Sequence, residues 1–333
     1  MSKPEFFVTA ALPEPGMQLL DQAGRVTLAE RRPTHSELRD ACTSGEYDVI
    51  VAQLTDSFDR DVLAKARIRG ISNYAVGFDN IDVEAATRSG VLVCNTPSVL
   101  TDATADLTML LILSTARRCV EADGFLRAGE FVGWQPELLL GADVSGAVLG
   151  LAGFGRIARA TARRALGFGM TVRYFARKPV PDEDLGDLAG RVDFTTWDDL
   201  VRSSDFLSLH VPLSGATRHL VNADVFAAMK PSAFLINTAR GPIVDEQALV
   251  EALGSGQIAG AGLDVYENEP KLAVGLAELP NTTLLPHVGS ATRSVRSTMA
   301  KLCAQNAIAV AKRRPPLSVV NPGVIGSVEV PSS

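Results

Sequence analysis

The residue types in this chain best suited to chemistry follow its apolar runs. Ala147 to Ala152 leads into Gly153-Phe154-Gly155, a helical pattern rich in Ala and Arg follows, and a second apolar run ends at Phe175. Strand, tight glycine turn, helix and strand in this order form half of a nucleotide-binding βαβ unit, whose chemistry is to hold a pyrophosphate. Gly153 can adopt the backbone angles of the turn, and Gly155 has no side chain to keep a phosphate off the main chain. Ala158 stands where Gly or Ala lets the helix pack closely on the strand. The helix start offers free N–H groups and its positive dipole end to the phosphates. A glycine turn alone also serves plain packing; the flanking elements are what make this one a cofactor turn.

The end of the second strand bears on which dinucleotide. An NAD-selective site usually carries Asp or Glu there for the ribose 2'-hydroxyl, whereas this chain reads Tyr174-Phe175-Ala176-Arg177-Lys178. Arg177, with Lys178 beside it, would welcome a 2'-phosphate, so NADP(H) is expected in preference to NAD(H). The bland alternative is a pair of solvated surface charges.

Three more strand ends carry polar groups. Ala233 to Asn237 ends in Thr238-Ala239-Arg240-Gly241, Ile258 to Val265 passes through Asp264 to Glu269-Pro270, and Thr283 to Leu285 ends in Pro286-His287-Val288-Gly289-Ser290. Ligands bind outside the carboxyl ends of strands in doubly wound sheets, so a cation, a carboxylate and an imidazole are expected on one edge. Singly, each is more often structural; together, beside a dinucleotide turn, they mark a catalytic site. Among the other histidines, His35 lies in a helical segment and His219 in a connector. His210 ends a strand ahead of Val211-Pro212 and is expected on the adenine-side wall of the cofactor cleft, with Pro212.

The elements that must position these groups alternate strand and helix throughout, the pattern of doubly wound α/β structure. Phe6 to Thr9, Val26 to Ala29, Asp48 to Ala52, Ile68 to Ile71 and Val91 to Val93 read as a small parallel sheet. One long helix is expected from about Thr101 to Ala128, burying Leu107, Leu110, Leu111 and Ser114 to Ala116. The Rossmann unit starts only after it, with further strands at Asp205 to His210 and the three runs above. A final helix, Ala291 to Arg313, has no strand of its own and is expected to return to the first domain. The reading is therefore α/β: a Rossmann dinucleotide-binding domain at 100–289, inserted in a smaller flavodoxin-like substrate domain at 1–99 and 290–333.

At 333 residues the chain can fill two cores, and 46% hydrophobic with 21% charged residues is a soluble globular composition. A net charge of −6 argues against nucleic acid or an anionic membrane as partner. No apolar stretch has transmembrane length, and the start runs directly into a strand, so a cytoplasmic protein is expected. Cys42, Cys94, Cys119 and Cys303 lack metal-ligand spacing and read as reduced packing residues, with no metal site.

Five motifs together carry a resemblance over nearly the whole chain: YAVGFDNIDV from Tyr74, GFGRIA from Gly153, INTARGPIVDEQAL from Ile236, GLDVYENEP from Gly262 and PHVGSAT from Pro286. The chain resembles the D-isomer-specific 2-hydroxyacid dehydrogenases. Within them it is most like the glyoxylate/hydroxypyruvate reductases, which share the segment Gly133-Trp134-Gln135-Pro136. The resemblance implies His287 as the acid that protonates the substrate carbonyl and Glu269 as the group that keeps the imidazole charged. It implies Arg240 on the substrate carboxylate, with the main-chain N–H groups of Val76 and Gly77 opposite and Ser290 nearby. Asp264 would fix the nicotinamide amide, Thr104 and Thr238 would lie by the cofactor, and Arg156 and Ile157 would line the pyrophosphate. Trp134 would reach the pocket of a partner subunit in a homodimer, although a buried core or interface Trp explains it equally well.

Three rivals follow from the same residues. Phosphite dehydrogenases share the GW-x-P segment but use a Lys in the loop that here reads Tyr74-Ala75-Val76-Gly77, and Val76 supplies no such charge. Phosphoglycerate dehydrogenases usually keep an acidic residue after the second Rossmann strand and often a regulatory extension; neither is read here. A dinucleotide-sensing corepressor shares the fold, and intact Arg240, Glu269 and His287 are compatible with it; turnover of a small 2-oxoacid discriminates.

Overall fold

The computed structural model describes residues 3–324. The chain divides into two compact units, one running to Leu100 and resuming at Ala291, the other Thr101–Ser290. The first holds strands β1 (Glu5–Val8), β2 (Arg25–Leu28), β3 (Val49–Ala52), β4 (Gly70–Asn73) and β5 (Leu92–Cys94). They pair in parallel in the order β2-β1-β3-β4-β5, the flavodoxin arrangement. Central strands of such a sheet are covered on both faces, which is why they read as unbroken apolar runs. Val49 and Val51 face one core with Phe6 and Val8, while Ile50 and Ala52 face the other with Ile71 and Val93. The closing helix, Arg293–Ala311, completes the first of these cores with Met299, Ala300, Cys303, Ala304 and Ala307.

The second unit holds β6 (Val148–Ala152), β7 (Thr171–Phe175), β8 (Val192–Phe194), β9 (Phe206–Leu209), β10 (Phe234–Asn237), β11 (Gly260–Leu263) and β12 (Thr282–Leu284). Their order is β12-β11-β10-β9-β6-β7-β8, all parallel, a Rossmann sheet extended by one strand. Alternate residues again feed two cores: Phe234 and Ile236 of β10 face one, Leu235 the other. The strand order reverses between β6 and β9, so the end of β6, where the glycine turn sits, is the switch point at which such sheets bind ligands.

Several sequence expectations need correction. β8 was not anticipated: it is a three-residue edge strand with two exposed residues, too short to show a period. The long helix is two, Thr101–Ala116 and Cys119–Arg127, broken where Arg118 takes a left-handed φ of 52°. The break has a tertiary cause, because the carbonyl of Ala116 accepts the N–H of Ala142 as the chain returns past it. Leu110, expected in the buried face, is exposed; the buried face is Thr104, Ala105, Thr108, Met109, Leu111, Ile112, Thr115 and Ala116. Cys119 is exposed rather than packed, while Cys42, Cys94 and Cys303 are buried. Trp134 is 83% exposed in the chain, which removes the core reading. Among the described residues no helix is long and apolar enough to cross a membrane.

Candidate active site

The glycine turn closes β6 as the βαβ pattern requires. Gly153 has a φ of 94°, and a Cβ there would come within 2.7 Å of the His210 carbonyl oxygen, so packing and backbone both demand glycine. Phe154 anchors the turn from inside: its buried ring stacks on Tyr174 at 3.9 Å between centroids. Gly155 differs. A Cβ on it would meet nothing within 4 Å, and the helix it precedes, Arg156–Gly167, begins with no side-chain cap. The glycine therefore leaves open space before uncapped N–H groups, which fits a dinucleotide pyrophosphate. Arg156 is exposed there, Ile157 is half-buried, and Ala158 is fully buried against the sheet.

Around the turn, the N–H of Gly153 donates to the carbonyl of Phe175, which ties the end of β7 to the glycine turn. Arg177 and Lys178 just beyond it are exposed, and neither makes an ion pair with a described residue. His210 follows β9 with Nε2 2.9 Å from Ser208 Oγ, and burial pushes its pKa down to about 4, so the ring is neutral at physiological pH. Pro212 is exposed two residues on.

The three polar strand ends belong to neighbouring strands, β10, β11 and β12, whose parallel register sets the loops that follow them side by side. Asn237, buried at the end of β10, folds the first loop: its amide donates to the Arg240 carbonyl at 2.9 Å and accepts the Ala239 N–H at 3.0 Å. Thr238 in this loop lies 3.0 Å, Oγ1 to Oγ1, from Thr108, whose hydroxyl is also 2.8 Å from the Thr104 carbonyl. Arg240 donates from Nη1 to the Ala239 carbonyl.

Glu269 and His287 meet across the next two loops. His287 Nδ1 is 2.9 Å from Glu269 Oε2, and Glu269 Oε1 accepts the Tyr266 N–H at 3.1 Å. Burial acts to raise the Glu269 pKa, but the bond and charge of His287, the Tyr266 N–H and the charge of Arg240 outweigh it and hold the carboxyl below its usual range. His287 itself has a φ of 54°, uncommon for a residue with a side chain and found mostly where function or a turn requires it. The next two residues explain how it is held. Asp264, 1% exposed, accepts the Val288 N–H on one oxygen and the Gly289 N–H on the other, each at 2.7 Å. Burial raises the Asp264 pKa against the pull of those two N–H groups. Buried Thr104 donates its hydroxyl to the Gly289 carbonyl at 3.3 Å, and Ser290 follows. The bracing by Asn237 and Asp264 was not foreseen; acidic or amide residues closing strands are the only trace of it in the sequence.

In the other unit, Val76 and Gly77 follow β4. Their carbonyls are taken by side-chain amides, Asn95 to Val76 at 2.8 Å and Asn73 to Gly77 at 3.0 Å. Neither N–H has an acceptor among the described residues, the state in which a loop receives an anion. His35 pairs with Asp59, and His219 with Glu267, so neither is drawn into the set around His287.

Residues 109–289 match the family described as D-isomer specific 2-hydroxyacid dehydrogenase, NAD binding domain. A glyoxylate reductase of Thermococcus litoralis is 46% identical over 334 residues, covering 98% of this chain and 99% of that one. Among solved structures, a glyoxylate reductase from Paecilomyes thermophila superposes with a TM-score of 0.86 at 33% identity, covering 97% of this chain and 100% of that one. An NADPH-dependent glyoxylate/hydroxypyruvate reductase from Sinorhizobium meliloti, in complex with NADP and malonate, gives 0.85 at 34% identity, covering 96% and 97%. With a strand-end Arg, Glu and His beside a dinucleotide turn, this chain belongs to the D-isomer-specific 2-hydroxyacid dehydrogenases and is an NAD(P)-dependent oxidoreductase.

Proposed function

We propose that this protein reduces a small 2-oxoacid, glyoxylate or hydroxypyruvate, to the 2-hydroxyacid, with NADPH preferred over NADH. The observation that carries the reading is the His287–Glu269 pair at 2.9 Å. Nδ1 is engaged by the carboxylate, so Nε2 is the ring nitrogen left to donate a proton to the substrate carbonyl oxygen. The bound cofactor supplies the hydride to the carbonyl carbon. Arg240, a planar two-pronged donor, and Ser290 are assigned to the substrate carboxylate; in the other unit the Val76 and Gly77 N–H groups, which have no acceptor among the described residues, are assigned to substrate as well. Thr104, Thr238, Asp264, His210 and Pro212 are assigned to the cofactor side, Arg156 and Ile157 to its pyrophosphate, and Arg177 and Lys178 to its 2'-phosphate. The NADP complex of the Sinorhizobium meliloti reductase supports that last assignment.

Leu110, Val120, Leu126, Phe131, Val132, Trp134 and Leu140 are large apolar side chains exposed along one stretch of chain. Such a concentration is what a subunit interface covers, and it supports a homodimer with Trp134 directed to the partner. Four unpaired thiols suit the reducing cytoplasm. Initial rates with glyoxylate, hydroxypyruvate, pyruvate and phosphite, each with NADPH and NADH, test the reading. Turnover of glyoxylate or hydroxypyruvate with NADPH is expected; turnover of phosphite alone, or of nothing, would overturn it.

A further inference from the structure

Glu246 is 4% exposed and opens the helix Glu246–Gly254, whose cap is already made by Asp245 accepting the Ala248 N–H. Its carboxylate is therefore not needed as a cap, and it points elsewhere. Oε1 accepts the Glu267 N–H at 2.6 Å and Oε2 accepts the Ala273 N–H at 3.1 Å. One buried carboxylate thus grips the segment 267–273 near both ends, and Glu269 lies between the two grips. Within the segment the Lys271 N–H donates back to the Asn268 carbonyl, closing a turn that contains Glu269. Burial and the charges of Glu267 and Glu269 all raise the Glu246 pKa, so the site spends favourable solvation to place an acceptor here. The Glu267 side chain reaches His219 at 2.6 Å and Arg218 at 3.1 Å through Oε1 and accepts the Glu246 N–H at 3.5 Å on Oε2, so the two residues are tied reciprocally, main chain to side chain.

We propose that Glu246 is a positioning residue for the reaction: by holding the Glu267 and Ala273 N–H groups it sets where Glu269 stands, and so the reach of Glu269 to His287. This rests on the reading of Glu269 and His287 as the working pair. A segment released at both ends would let Glu269 drift from the imidazole, and a carboxylate–imidazole interaction of this kind falls steeply over an ångström or two.

The test compares Glu246→Gln with wild type and with Glu269→Gln. Two titrations are read: the alkaline limb of the kcat profile for glyoxylate reduction, and the His287 ring resonances by NMR in the cofactor-free protein. Gln keeps the length but has a single oxygen for two N–H groups. Both titrations should move to lower pH by roughly 0.3–1 pH units, in the direction of Glu269→Gln but less far. kcat should fall about three- to tenfold, with cofactor Kd and substrate KM held within about twofold. Glu246→Asp keeps the charge but shortens the reach; it is measured alongside, so that misfolding of the amide variant leaves the same comparison intact. A lowered Tm with both titrations at their wild-type positions would mean a merely structural Glu246 and overturn the inference. If Glu269→Gln also leaves both unmoved, the pair itself fails and the inference falls with it; if Glu269→Gln moves them and the Glu246 variants do not, only the role of Glu246 is lost.

Discussion

Gly241 lies directly on the main chain of Tyr266: a Cβ on this glycine would stand 1.8 Å from the Tyr266 carbonyl carbon and 2.4 Å from the Glu267 nitrogen. The loop that carries Arg240 is thereby seated on the loop that carries Glu269. Gly241→Ala must push the two apart by more than an ångström, because backbone cannot yield as a side chain does. We expect kcat/KM to fall by about 100-fold and stability by about 1–3 kcal/mol, with cofactor binding close to wild type. Calorimetry of cofactor binding beside steady-state kinetics checks this; unchanged kcat/KM would show that the spacing of the two loops is immaterial.

His287→Ala removes the proposed acid and should lower kcat by about 100-fold or more while the glycine turn still binds cofactor. Near-normal turnover would take His287 out of the mechanism.

The pH dependence follows from the depressed pKa of Glu269. The sign is set by its direction: the carboxylate is ionised through the neutral range, and the pairing is lost only as pH falls through its lowered pKa. In the proposed mechanism reduction needs a proton on the imidazole, so activity is expected to decline on the alkaline side. Glu269→Gln withdraws the negative charge that favours that proton and should shift the alkaline limb to lower pH, with a milder loss of kcat than His287→Ala. A pH profile from 5 to about 10 decides it, and an unmoved limb counts against the pair.

Arg240→Lys keeps the charge and loses the fork. For glyoxylate, kcat/KM should fall at least about tenfold, chiefly through the hydrogen bonds that a single ammonium cannot make at once. Full activity in the variant would assign Arg240 a structural role and place the substrate carboxylate elsewhere.

The proposed cofactor preference turns on the end of β7, where Arg177 and Lys178 stand exposed two and three residues past Phe175, whose carbonyl accepts the Gly153 N–H. Ala176→Asp with Arg177→Ala adds an acceptor for a bare 2'-hydroxyl and removes the partner of a 2'-phosphate. The NADPH-to-NADH ratio of kcat/KM should drop by about ten- to a hundredfold. The unsubstituted protein is the prior check, since a native preference for NADH would make both cations ordinary surface charges.

Much of this molecule was legible from local order along the chain. The strands of both sheets are short apolar runs because each is covered on two faces, and Gly153, Arg240, Glu269 and His287 stand out because each follows such a run. What the amino-acid order determined by itself is therefore the strands other than the short edge strand β8, their parallel class and the residues at one edge. The tertiary structure decided what depends on which main-chain groups arrive from far away. The helix after Thr101 stops at Ala116 because the Ala142 N–H takes its carbonyl, although the sequence runs on in helical character. Asp264 is legible in the sequence as a strand-end carboxylate and Glu246 only as part of a motif, and neither shows there that two N–H groups from other segments close on it. Periodicity and propensity report only what a residue's neighbours in sequence require; a buried carboxylate is satisfied by donors that the finished fold delivers, and only the fold names them.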